Sequence, residues 1–279
     1  MKKVVLITGA SSGFGNLTAK KFQKAGYQVI ATMRSPEKEK ELNQLANIDV
    51  VRLDVIDLKN IQEVIASTIE KYGRIDVLVN NAGYGAFGYF EEASDAEIKN
   101  QVDVNFTGVM HTTREVIPHM RKQKSGYIIN VTSLAGTIGM PFASLYNATK
   151  FAVEGFTQAL QFELSTFGIK VRTVAPGGFK TNFMHAVMIN KGNAKPELDY
   201  YRGEMEARMN KMMSEPPKPF NFGDPQVVAD LIYKCATSNT PVINYVGKDA
   251  KLTVKMIRLL GKKRIFKMFG KSIMPKFNQ

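Results

Sequence analysis

Short apolar runs rich in β-branched residues alternate along the chain with longer stretches in which apolar positions recur every three to four residues. VVLIT (4–8) precedes a helical pattern that runs to Ala25. QVIAT (28–32) precedes a charged helix near Glu37–Ala46, and DVVRLD (49–54) leads into a helix near Leu58–Tyr72. IDVLVN (75–80) ends in a Gly-rich loop, after which a long helix runs from about Asp95 to Lys122. GYIINVTS (126–133) precedes a helix reaching about Phe167, and IKVRTVAP (169–176) is the next strand. A helix near Pro225–Ser238 and a last strand, PVINYVG (241–247), follow. Strands this uniformly apolar must be covered on both faces, and β-α alternation makes the sheet parallel. The pattern predicts one α/β domain over 1–249, a doubly wound parallel sheet of about seven strands.

Residues 179–225 loosen the pattern. They hold Met184, Met188, Met205, Met209, Met212 and Met213, with Pro216, Pro217 and Pro219 near the end. The segment is read as a substrate-side insertion with short helices, either ordinary packing or an adaptable apolar lid.

The last stretch, 250–279, is different again. At about 100° per residue, Leu252, Met256, Leu259 and Leu260 fall on one side of a helix. Lys251, Lys255, Arg258 and Lys262 fall on the other. Beyond Gly261 the pattern resumes but rotated, with Ile265, Phe266, Phe269 and Ile273 opposite Lys263, Arg264, Lys267 and Lys271. Two short amphipathic helices with a break near Gly261, ended by Pro275, are predicted. They either pack on the body or lie on an anionic membrane. Because each apolar stripe is short, packing is the expectation.

Charge changes the picture only here. The chain of 279 residues carries a formal +13, yet the tail alone holds nine Lys/Arg and no acid. The rest is nearly balanced, so nucleic-acid binding by the body is not indicated. One cysteine, Cys235, excludes a disulfide framework and makes a reducing, cytoplasmic compartment the expectation. His111, His119 and His185 lack ligand-like spacing, so no metal is expected. The apolar run after Lys2 and Lys3 is too short for a signal peptide, and no stretch reaches transmembrane length.

TGASSGFG (8–15) follows the first strand and opens a helix. Gly9, Gly13 and Gly15 permit a tight turn and close approach of backbone to phosphate, and the helix N-terminus offers free N–H groups. Ser11, Ser12 and Phe14 join them as candidate nucleotide contacts. At the end of the second strand, where an acid would bind the ribose 2′-hydroxyl of NAD, stand Met33 and Arg34. A guanidinium matches a 2′-phosphate instead, which points to NADP(H) and leaves NAD(H) open. In YNATK, Tyr146 and Lys150 stand four apart, on one helical face.

TGASSGFG, NNAG (80–83), Asn105, Ser133, YNATK and PGG (176–178) fall in the order and spacing of the classical short-chain dehydrogenases/reductases, which the chain resembles over roughly residues 3–183. VGKDA (246–250) resembles bacterial members similar to retinol and hydroxysteroid dehydrogenases. The resemblance implies a Rossmann-type fold and four catalytic residues: Asn105, Ser133, Tyr146 and Lys150. Tyr146 would exchange a proton with the substrate oxygen, Ser133 fix that oxygen, Lys150 also hold the nicotinamide ribose, and Asn105 hold a relay water. It further implies cofactor contacts from Asp54 and Val55 (adenine edge), Asn81, Ala82 and Gly83, and from Pro176, Gly177 and Thr181 on the nicotinamide side. A tyrosine has an ordinary pKa of ~10. The Lys150 ammonium, together with an oxidised nicotinamide, is expected to lower it. Dimers or tetramers through the helices at 95–122 and 146–167 are implied as well. The expected activity is carbonyl–alcohol interconversion on a small lipophilic substrate, steroid- or retinoid-like or another bulky ketone or aldehyde. The alternative is a non-catalytic nucleotide sensor or scaffold, which would be expected to lose Tyr146, Lys150 or Ser133.

Overall fold

Seven strands form one parallel sheet in the computed structural model, which describes residues 2–181, 183, 187–215 and 222–273. The strands are β1 (Val4–Ile7), β2 (Gln28–Met33), β3 (Ile48–Arg52), β4 (Val77–Asn80), β6 (Gly126–Val131), β7 (Ile169–Pro176) and β9 (Ile243–Val246). Their order is β3-β2-β1-β4-β6-β7-β9, every neighbouring pair parallel. Two further strands, β5 (Ala86–Phe87) and β8 (Met188–Ile189), pair with each other apart from the main sheet.

Side-chain alternation along the strands builds two cores. Val5, Ile7, Val29 and Val79 meet α1 (Gly13–Lys24) and α7 (Gln226–Thr237) through Phe22, Val228 and Ile232. Val4, Leu6, Ile30 and Leu78 face the other way. They meet α2 (Leu58–Tyr72), α4 (Gly108–Gln123) and α5 (Ser144–Ser165) through Ile61, Val116 and Leu160. This is the doubly wound arrangement that the apolar strands require. It leaves the carboxyl ends of β1, β4, β6 and β7 along one edge, with the reversal of strand order between β1 and β4, where such sheets bind ligands.

Two expectations need correction, and a third is refined. The charged helix near 37–46 is instead two 3₁₀ turns, Pro36–Lys38 and Leu42–Gln44. Only Leu42 among these is buried, and the Glu39 carboxylate accepts the N–H groups of Glu41 and Leu42, which favours turns over a continued helix. The helix expected over 95–122 runs without a break from Asp95 to Gln123, and a five-residue π-turn (Asp103–Thr107) divides it into α3 (Asp95–Val102) and α4. Among the described residues the insertion holds a 3₁₀ turn, Pro196–Leu198, and α6 (Asp199–Ser214), a longer helix than expected. Met205 is its fully buried methionine, whereas Met188 in β8 is half exposed. Met184, Pro216, Pro217 and Pro219 lie outside the described residues, as do the side chains of Met212 and Met213.

The insertion is tied down by two acids. Glu92, fully buried, accepts from Arg202 Nε at 3.0 Å and from the Lys195 N–H at 3.1 Å. The Arg202 guanidinium holds the Glu92 carboxyl below its ordinary range. Glu97 closes the capping box of α3 and accepts the N–H groups of Lys191 and Gly192.

The tail forms α8 (Lys248–Leu260) and α9 (Lys262–Ile273), broken at Gly261 with φ +82° as the pattern predicts. Pro275 is outside the described residues. The packing residues overlap the predicted stripe only in part: Ile265 is buried and Met256 partly so, Leu252, Leu259, Leu260 and Phe266 are exposed, and the side chains of Phe269 and Ile273 lie outside the described residues. Ala250, Thr253 and Val254 are the ones buried on α8, and Ile265 on α9. Ala250, Val254 and Ile265 join Leu134 and Ile138 in a separate apolar cluster. Leu259 is 72% exposed and Phe266 59%. Among the described residues no helix is long and apolar enough to cross a membrane.

Candidate active site

The Gly-rich turn is braced from β4. Thr8 Oγ1 accepts the N–H groups of Asn81 and Ala82 at 3.0 and 3.1 Å. Asn81 Nδ2 donates to the carbonyls of Thr8 and Gly9 at 3.1 and 2.9 Å. Gly9 has φ +68°, and a Cβ there would lie 2.8 Å from Ala82 Cα. At Gly15 a Cβ would lie 2.3 Å from the Gly9 carbonyl oxygen, so both glycines are sterically required. Helix α1 starts at Gly13 with Ser12 as N-cap, no side-chain cap bond and no acid in the first turn. Its first N–H groups are therefore open to an anion. Ser11 and Ser12 are exposed beside them. The Phe14 ring is used in packing, edge-on to Phe179 at 5.7 Å. Across the gap, a Cβ on Gly13 would lie 3.7 Å from Thr181 Cβ.

Arg34 is exposed just past β2, next to buried Met33. Asp54 and Val55 follow β3. The Asp54 N–H donates to Asn60 Oδ1 at 2.9 Å, and Val55 packs so closely on Gly108 that a Cβ there would lie 2.8 Å from it. These three residues sit at the ends of the strands beyond β1, away from the Tyr–Lys pair, as an extended ligand crossing the sheet edge requires.

Asn105 lies in the π-turn and is 1% exposed. It grips the backbone of Tyr84 at both ends: Oδ1 accepts the N–H at 3.0 Å and Nδ2 donates to the carbonyl at 2.8 Å. π-turns inside helices often mark functional sites. A Cβ on Gly83 would lie 3.1 Å from Asn105 Oδ1 and 3.7 Å from Lys150 Nζ, so only glycine leaves the space between them open.

Tyr146 and Lys150 share a face of α5, both buried. Ser133 caps the 3₁₀ turn after β6, where its Oγ accepts the Ala135 N–H at 3.1 Å and its hydroxyl is hydrogen-bonded to Tyr146. Lys150 Nζ donates to the Val131 carbonyl at 3.0 Å and sits 5.6 Å from the Tyr146 ring centre. The lowering of the Tyr146 pKa is expected from Lys150 and an oxidised nicotinamide together; the protein groups alone act in the opposite direction. Burial pushes it up to about 12, and the Ser133 hydrogen bond opposes this only in part. Burial also brings Lys150 down to about 8, against the opposing charge of Glu154. Desolvation of the two side chains thus outweighs the attraction that their spacing suggests.

Four residues that the sequence reading passed over complete the site. Glu154, one turn beyond Lys150, is buried and accepts from Thr132 Oγ1 at 2.5 Å and Thr173 Oγ1 at 3.1 Å. Its signal was the continued spacing of four from Tyr146 through Lys150. Asn147, inside YNATK, donates to the Ala135 and Ile138 carbonyls and accepts the Met140 N–H, fastening the loop after Ser133. Thr8 is the brace already described. Asp249 starts α8 and accepts the Gly178 N–H at 2.6 Å, while a Cβ on Gly177 would lie 2.1 Å from its Oδ1. Pro176 and the two glycines are thereby held against the tail helix, an arrangement that spacing alone could not reveal.

The wall near Tyr146 is aromatic. Phe87 stacks on its ring at 5.7 Å, Phe183 lies tilted at 5.8 Å, and Tyr89 meets Phe142 edge-on at 5.4 Å. Such a wall favours an apolar skeleton over a polar one.

A family model described as short chain dehydrogenase matches residues 3–191. The chain is 42% identical over 184 residues to a 3-ketodihydrosphingosine reductase of Bacteroides thetaiotaomicron, a match spanning 65% of each protein. The crystal structure of a short-chain dehydrogenase from Streptomyces avermitilis superposes with a TM-score of 0.80 at 32% identity, covering 99% of this chain and 100% of that one. A structure of ElxO with NADP bound gives a TM-score of 0.72 at 32% identity over 88% of this chain and 97% of that one.

Proposed function

Because this chain belongs to the short-chain dehydrogenase family, it is an oxidoreductase, and we propose that it is an NADP(H)-dependent reductase of a ketone carried on a long or bulky apolar skeleton. The carrying observation is Tyr146: buried, bonded to Ser133, faced by Phe87 and Phe183, and set one turn from Lys150.

The residues present fit a dinucleotide. Gly9 and Gly15 keep side chains out of the turn, the α1 N-terminus has uncapped N–H groups, and Arg34 stands exposed where a 2′-phosphate would lie. NADP bound to ElxO, a structural neighbour, supports this choice over NAD(H). When bound, the nicotinamide supplies or accepts the hydride. Asn81, Ala82 and Gly83 would line it at the strand ends, and Lys150 would hold its ribose.

Tyr146 keeps its proton at neutral pH, because burial holds its pKa near 12. That is the protonation state needed to donate to a carbonyl oxygen as the hydride arrives. Ser133 turns its hydroxyl from Tyr146 toward the same oxygen and holds it in place. Asn105 keeps Tyr84 and the space by Gly83 fixed, beside Lys150. Glu154 positions Lys150 from below. The substrate class follows from the aromatic wall and from the named activity of the Bacteroides relative, whose substrate is a ketone on a long-chain base.

The test is NADPH oxidation against a panel of 3-ketodihydrosphingosine, a steroid ketone and short water-soluble ketones. Turnover of the long apolar ketones in preference to the short ones is expected. NADPH binding without turnover of any carbonyl would favour the sensor reading. A preference for short polar ketones would remove the substrate class proposed here.

A further inference from the structure

The tail leaves exposed many of the side chains that its sequence offers for packing. Of the exposed large apolar residues among the described part of the chain, five fall within 252–268: Leu252, Leu259, Leu260, Phe266 and Met268. Single exposed apolar side chains are ordinary, but five within two consecutive helices set the tail apart from the rest of the surface. Cations surround it. Lys251, Lys255, Arg258, Lys262, Lys263, Arg264 and Lys267 are all exposed, and the stretch from Ala250 to the end holds no acid. None of these cations ion-pairs with a described carboxylate.

The geometry of α8 orders these groups by side. Ala250, Thr253 and Val254 face the body. At about 100° per residue, Arg258, Lys251 and Lys255 come next around the helix, and Leu252 and Leu259 come after them. Between α8, α7 and the outer strand β9 runs a groove of about 360 Å³. Its apolar floor includes Leu231, Ile243 and Val254, and its rim is Lys251, Lys255 and Arg258. An apolar floor beneath three cations suits an amphiphile with an anionic head. A row of leucines beside a row of cations suits the boundary between acyl chains and phosphates.

We propose that the α8–α9 tail docks on an anionic lipid bilayer, with Lys251, Lys255 and Arg258 at the depth of the phosphates and Leu252 and Leu259 inserted beside them. The occupant is a bilayer rather than a protein because the exposed charges of the tail have one sign throughout, with no acid among them to set a partner's register. Docking here places the rim of the site close to the lipid. Ile265 packs on Leu134 and Ile138 in the segment that follows Ser133, and a Cβ on Gly139 would lie 3.3 Å from the Phe266 ring. Delivery of an apolar ketone from the bilayer rests on the reductase reading, whereas docking does not.

The experiment is co-sedimentation of the full chain with vesicles of phosphatidylcholine alone and of phosphatidylcholine containing phosphatidylglycerol. Binding to the anionic vesicles only, lost at high salt, is expected. The triple variant Lys251→Gln, Lys255→Gln, Arg258→Gln should bind about a hundredfold more weakly, since each cation contributes a several-fold factor at an anionic surface. Leu252→Ser with Leu259→Ser should also weaken binding while leaving the charge intact. Thermal melting, which needs no substrate, checks that both variants fold, so failure of docking and failure of the reductase reading are seen separately. Equal binding to both vesicle types, no binding, or a triple variant that binds as tightly as the parent overturns the proposal. So does displacement by millimolar inorganic phosphate with the leucine variant unaffected, which would assign the groove to a free anion.

Discussion

At the scale of single residues, the site is dominated by what burial does to two protons. Tyr146→Phe removes the phenolic O–H and little volume, so the fold and NADPH binding should survive while turnover falls by ~10²–10⁴-fold. A variant retaining near-parental turnover would exclude Tyr146 as the proton donor. Lys150 has a folded pKa near 8 against an ordinary 10.5, because burial penalises its charge. Between those values the unfolded chain holds the proton and the native one does not. Stability therefore rises with pH across the window, by up to ~1.4 kcal/mol per unit, and is lost as pH falls through about 8. Urea unfolding at several pH values inside the window should show this rise in the parent and its absence in Lys150→Met. Identical pH dependence in the two proteins would mean that Lys150 is not depressed. Arg34 offers the cofactor test. Arg34→Ala should weaken NADPH binding by ten- to a hundredfold, roughly 1.5–3 kcal/mol for a charge-assisted bond, and leave NADH nearly unchanged. An equal loss for both cofactors would make Arg34 structural. These residues were legible because chemistry dictates their spacing along the chain. Glu154 and Asp249 were not, since these carboxylates gain their meaning from Thr132, Thr173 and Gly178, which come from other elements.

At the scale of elements, the insertion and the tail hang on few contacts. Arg202 carries α6 onto Glu92, which is fully buried. Removing one partner of such a pair leaves a buried charge uncompensated, at a cost of ~3–5 kcal/mol. Arg202→Ala should speed amide hydrogen exchange over residues 190–214 while the main sheet stays protected. Slow exchange there in the variant would show that apolar contacts such as Met205 suffice to hold the helix. The long strands and helices were readable from periodicity, because a sheet covered on both faces leaves an unbroken apolar run. The departures have separate causes. The segment at 37–46 has a helix's charge pattern but buries only Leu42 among its turn residues, and propensity without an apolar face yields turns. β5 and β8 have two residues each, too short for any pattern. The π-turn at 103–107 answers a demand from elsewhere, the grip of Asn105 on Tyr84.

At the scale of the whole molecule, exposed aromatic surface remains on α5, where Phe162 is 81% exposed, with Phe167 at 39% just beyond the helix. This agrees with association through the helices expected to form the subunit contact. Light scattering should give at least twice the monomer mass, and Phe162→Arg should lower it. A parent protein that is monomeric at micromolar concentration would remove this expectation. The sequence by itself determined the two-sided parallel sheet, the nucleotide turn after β1 and the Tyr146–Lys150 face. Each is written in local periodicity or in spacings of a few residues, where backbone geometry leaves one reading. Only the tertiary structure decided the sign of the Tyr146 shift, the side of α8 that packs and the role of Asp249. Those depend on how much water is removed around a group and on which distant backbone arrives beside it, and neither quantity is a property of neighbouring residues in the chain.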